Sequence, residues 1–175
     1  MSQGKPQRAP SIEAREFLSK NWAVDGVLSF PVEPLEIAQK LGIEVSFVKG
    51  LPDDVSGLLL RKEADAPIQA AVNVERPVEH QRFTLAHELG HYVLLDRAGQ
   101  LDQPVGFVER RSELSSLGTD PVEIFSNQFA AELLMPEGAV RFYVRDGLSF
   151  DELCNLFVVS KAAMSHRLSN LGITL

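Results

Sequence analysis

The chain has 175 residues and a formal net charge of −7, a length that fits one domain with at most a small appendage and an acid excess that argues against a broad phosphate-binding surface. Apolar residues make up 45% and charged residues 23%, ordinary for a globular protein that buries a core. Cys154 is the single cysteine, which excludes an internal disulfide, and no apolar leader or membrane-spanning run is present, so the expected setting is the cytoplasm.

Residues 1–10 read as a disordered tail. Residues 11–23 have the spacing of an amphipathic helix carrying Phe17, Leu18 and Trp22. Residues 34–41 read as a short helix stopped by Gly42. Residues 43–48 alternate as a strand. Two more strand-like runs, 57–61 and 69–74, flank a polar turn and predict a hairpin. A helix over roughly 77–95 follows, with Pro77 at its first turn. Residues 96–119 are long and aperiodic, and loops of that length are usually functional. A second strong helix begins at Asp120-Pro121 and ends at Met135-Pro136. Ser149-Phe150-Asp151-Glu152 is a capping-box pattern opening a short helix, followed by a turn at Phe157-Val158-Val159 and a helix over 160–170.

The first long helix carries His87-Glu88-Leu89-Gly90-His91. His87 and His91 are four apart and share one helix face, so both imidazoles can ligate one zinc ion. Glu88 lies about 100° round the helix from His87, where it can act as a general base on a water. Zinc supplies a Lewis acid and lowers the pKa of such a water to about 7, so the pattern points to metal-assisted peptide hydrolysis. The structural alternative is a pair of core histidines, but the motif sits in a helix with an apolar stripe of Phe83, Ala86, Leu89, Val93 and Leu94. Gly90 in a helix interior costs roughly 1 kcal/mol relative to alanine, which implies close approach of another backbone there.

A catalytic zinc usually takes three protein ligands. Leu94 and Arg97 stand where the metzincin pattern needs glycine and histidine, so the third ligand comes from elsewhere. His80 and His166 read as surface or core histidines. Glu109, Glu113, Glu123 and Glu132 are the candidates. At about 100° per residue, Glu123 and Glu132 point to opposite sides of their helix, so only one can face the metal. Glu123 shares its face with Asn127, which could hydrogen-bond a histidine from behind. Glu123 also fits a capping box begun by Asp120, so spacing alone leaves the choice open.

The run Gln81-Arg82-Phe83-Thr84-Leu85-Ala86-His87-Glu88-Leu89-Gly90-His91, with Glu123 and Asn127-Gln128-Phe129-Ala130-Ala131-Glu132-Leu133-Leu134-Met135-Pro136, resembles the ImmA/IrrE family of zinc metallopeptidases. The resemblance implies an α+β, zincin-like (gluzincin-like) fold, with a small antiparallel sheet packed beside the His-Glu-x-x-His helix. It implies a Zn²⁺ cofactor held by His87, His91 and Glu123, with Glu88 catalytic. It also implies a site-specific endopeptidase whose partner is a helix-turn-helix repressor or antitoxin. Ile-Phe-Ser stands between Glu123 and Asn127, where the family commonly has a charged pair and alanine.

The expected organisation is a tail over 1–10, a zincin-like metallopeptidase domain over 11–147 and a helix-turn-helix-like segment over 148–175. A DNA-reading version of that segment would place Ser160, Lys161 and Ser165 near bases and Arg167 near phosphate. Its charges cancel, Asp151 and Glu152 against Lys161 and Arg167, so packing on the peptidase domain or docking a repressor is favoured over sequence-specific DNA binding. The competing functions are a DNA-binding regulator with a metal-sensing site and a toxin component neutralised by an antitoxin.

Overall fold

In a computed structural model describing residues 8–110 and 120–175, the run around the two histidines is one long helix, α3 (Val78–Ala98). Pro77 precedes its first turn, and Gly99 closes it in the left-handed conformation at φ 65°. Every residue from Thr84 to His91 is buried. A helix buried all round needs neighbours on every side. A four-stranded sheet, α2 (Pro34–Lys40) and α4 (Pro121–Leu134) supply them.

The sheet contains β1 (Glu44–Val48), β2 (Val55–Arg61), β3 (Gln69–Asn73) and β4 (Val105–Arg110), in the order β1-β3-β2-β4. The α+β expectation holds. β2 and β3 form the antiparallel hairpin, with Leu59 opposite Ala70, and β4 adds antiparallel to the other side of β2, with Phe107 opposite Leu59. β1 is the exception and runs parallel to β3. Both hairpin strands are therefore interior, and among the described residues the edges are β1 and β4. β4 lies inside the stretch read from sequence as aperiodic, because six residues paired to a distant strand leave little local signal. Residues 1–7, most of the expected tail, lie outside the described residues, as does Glu113; Pro10 already begins α1 (Pro10–Asn21).

Asp120 caps α4 by accepting from Val122 N at 2.8 Å, and Pro121 occupies the first turn, where its missing N–H costs nothing. α1 packs along α4, with Phe17 edge-on to Phe129 at 5.4 Å between centroids. A helix not expected from sequence, α5 (Glu137–Arg145), starts directly after Pro136. The Ser149–Glu152 capping box opens α6 (Phe150–Phe157), and Ser160 caps α7 (Lys161–Asn170). Leu153, Phe157 and Met164 from this last pair are fully buried in the same core as Leu59, Leu89 and Phe129. Arg82 of α3 secures the turn between them: it donates to Val158 O at 3.3 Å, to Val32 O at 2.6 Å and to Glu33 at 2.6 Å. Among the described residues no helix is long and apolar enough to cross a membrane.

Candidate metal centre

α3 and α4 meet through matching rows. His87, Gly90 and His91 are spaced i, i+3, i+4 on α3, and Glu123, Ser126 and Asn127 have the same spacing on α4, so each trio shares one helix face. Where the rows cross, the backbones nearly touch. A Cβ on Gly90 would lie 2.8 Å from Ser126 Cα. This is the close approach that the interior glycine implied.

The crossing brings three metal-donor groups together. His87 Nε2 and His91 Nε2 are 3.0 Å apart. Glu123 places one carboxylate oxygen 3.1 Å from His87 Nε2 and the other 3.4 Å from His91 Nε2. One ligand atom from each of the three residues lies within 4.8 Å of the others. Both histidines are 1% exposed, while the Glu123 side chain is 28% exposed and forms the open side.

The chemistry of this donor set fits a divalent cation. Asn127 Oδ1 can only accept, so the 3.0 Å contact fixes a proton on His87 Nδ1 and leaves the Nε2 lone pair facing inward when the ring is neutral. Burial, with His87 alongside, lowers the His91 pKa to about 4, so that ring is neutral at ordinary pH. When the His87 ring is protonated, its Nε2 donates to Glu123 and holds that carboxyl below the usual carboxylate range. Two imidazole lone pairs and a carboxylate aimed at one point repel each other unless a cation lies among them. Two nitrogens and one oxygen with an open side match the donor pattern of a catalytic zinc site.

Glu88 is buried on the flank of α3 that meets the sheet. Gly57 of β2 permits this seating: a Cβ there would lie 2.4 Å from Thr84 Cγ2 and 3.4 Å from Glu88 Oε1. The next strand is β4, whose Phe107 ring stacks on His91 at 4.4 Å and 12°. An edge strand thus borders the histidine pair.

Glu132 and the histidines outside the motif lie elsewhere, while Glu113 and the Glu109 side chain fall outside the described residues. Glu132 is buried on the opposite side of α4, where it accepts from Arg15 at 2.9 Å and from the Glu137 amide at 3.2 Å and pairs with Arg167. Arg167, placed near phosphate in the DNA-reading version, is instead buried and donates to Met135 O at 2.9 Å. His80 contacts Ser56 Oγ at 3.0 Å. Ser126, which sequence reasoning passed over, contacts His91 Nδ1 at 3.3 Å.

Residues 38–169 match the family model described as the IrrE N-terminal-like domain, peptidase M78. This chain belongs to the ImmA/IrrE family. Among curated proteins, the ImmA/IrrE chain is 27% identical to Metallopeptidase ImmA of Bacillus subtilis (strain 168) over 120 residues, covering 67% of this chain and 64% of that protein. Among solved structures, a Mycobacterium tuberculosis transcriptional regulator shares its fold with a TM-score of 0.55 at 19% identity, over 93% of this chain and 52% of the regulator. The chain therefore spans less than two thirds of either relative. The matched residues include all of those that build the donor cluster.

Proposed function

We propose that this protein is a zinc-dependent, site-specific endopeptidase of the cytoplasm that cuts a helix-turn-helix repressor or antitoxin. The observation that carries the reading is the convergence of His87, His91 and Glu123 beside Glu88. The name of the Bacillus subtilis relative, a metallopeptidase, agrees with it. The repressor or antitoxin substrate rests on the resemblance of the two sequence blocks to the family.

Zinc held by His87, His91 and Glu123 would supply Lewis acidity toward the scissile carbonyl. Glu88 takes a proton from the attacking water onto a carboxylate oxygen and returns it to the departing amine nitrogen. The Glu88 carboxylate is excluded from bulk water, so a proton it holds goes to the reacting atoms rather than to solvent. Asn127 keeps the His87 ring in one tautomer throughout.

One feature suits a polypeptide substrate. Among the described residues β4 is an edge strand beside the donor cluster, and extended peptides bind by adding to such edges. The test is co-expression with a candidate repressor, followed on a gel with and without chelator, for wild type and Glu88→Gln. Cleavage that needs both metal and Glu88 is the expected result. Cleavage by Glu88→Gln at the wild-type rate would overturn the reading.

A further inference from the structure

His91 has to present Nε2, and not a ring carbon, toward His87 and Glu123. Stacking on Phe107 fixes the plane of the ring but does not choose between its two flipped orientations, because the apolar contact is nearly the same in both. A polar contact at Nδ1 makes the choice. Ser126 Oγ lies 3.3 Å from His91 Nδ1, and Ser126 is fully buried. Its position is set by backbone, since Gly90 lets Ser126 Cα come closer to α3 than any side chain would allow. Asn127, the next residue, holds the Nδ1 of the other histidine.

We propose that Ser126 is the positioning residue for His91: its hydroxyl oxygen accepts the Nδ1 proton, which fixes the ring orientation and leaves the Nε2 lone pair for a metal. A serine within a helix can pass its own hydroxyl proton to the carbonyl one turn back, so Oγ is free to accept. Serine is also the size the crossing requires. A longer hydrogen-bonding side chain would collide with α3 at Gly90. The inference rests on the metal-centre reading and concerns how one ligand is held, not which substrate is cut.

The discriminating variant is Ser126→Ala, which keeps the close packing and removes only Oγ. Zinc affinity is measured by competition with a chromophoric chelator, with Asn127→Ala as the parallel case for His87. The His91 tautomer is read by ¹H–¹⁵N NMR on metal-free protein, and metal-free stability by thermal melting. The expected result is a loss of about 10–100-fold in zinc affinity, with an unchanged melting midpoint and loss of the Nδ1-protonated form of His91. Wild-type affinity and tautomer in Ser126→Ala would overturn the proposal. So would a lowered melting midpoint with unchanged tautomer, which assigns the serine to packing. A wild-type protein that binds no zinc would remove the metal-centre reading and this proposal together, an outcome distinct from the first two.

Discussion

Gly90 and Ser126 face each other across the α3–α4 crossing at a separation that admits no side chain on the glycine: the missing Cβ would sit 2.8 Å from a backbone atom. Every donor of the cluster lies within one turn of this contact. The crossing therefore sets how far apart the two ligand rows stand.

Gly90→Ala should destabilise the protein, although alanine is the better helix former by roughly 1 kcal/mol. The new methyl meets Ser126 Cα, which cannot rotate away, and overpacking of this kind costs about 1–3 kcal/mol. Urea denaturation of the metal-free variant measures it. A gain in stability would show that the helices separate freely.

Glu123→Ala and Glu132→Ala should fail in opposite ways. The first removes a donor and should lose metal stoichiometry while folding normally. The second takes from buried Arg167 the carboxylate it pairs with and should cost about 3–5 kcal/mol while retaining metal. Metal analysis and denaturation on both variants separate the roles. Full metal retention by Glu123→Ala would displace it as a ligand.

Metal-free protein should lose stability as the medium is acidified. His91 titrates at about 4 in the folded protein, through burial and then the neighbouring His87, against about 6.5 in an unfolded chain. Between those values the unfolded state binds more protons, so stability falls as pH drops from about 6.5 towards 4. The depressed Glu123 carboxyl acts in the same direction at lower pH, its contribution fading as it protonates. The total loss should be a few kcal/mol, read from urea midpoints in chelator, and should shrink in His91→Gln. A flat profile in wild type would contradict the burial argument.

Much of this arrangement is legible from residue spacing. The interval of four between His87 and His91 specifies one helix face. The interval of nine between Glu123 and Glu132 separates them, and the structure puts one beside the histidines and the other beside Arg15 and Arg167. Gly90 also carries a signal, because a glycine inside a buried helix needs a reason. Ser126 and Gly57 carry none: their effects depend on what lies opposite, and small residues reveal that only in three dimensions. β4 went unread because strand pairing is non-local. α5 went unread because Pro136, taken as the stop of one helix, also sits at the start of the next.

Arg167 illustrates how a helix-turn-helix outline can be put to another use. The residue that would meet a phosphate is turned inward onto Glu132 and the Met135 carbonyl. The two partners are not equally dependent: freeing the arginine alone leaves Glu132 with Arg15 and the Glu137 amide, whereas replacing the carboxylate alone takes away the ion-pair partner of a buried guanidinium. A descendant of this chain that turned α7 into a DNA reader would therefore meet a deeper loss of stability by changing position 132 first than by changing position 167 first. That asymmetry orders the evolutionary steps by which the last two helices could leave the body that carries the donor cluster.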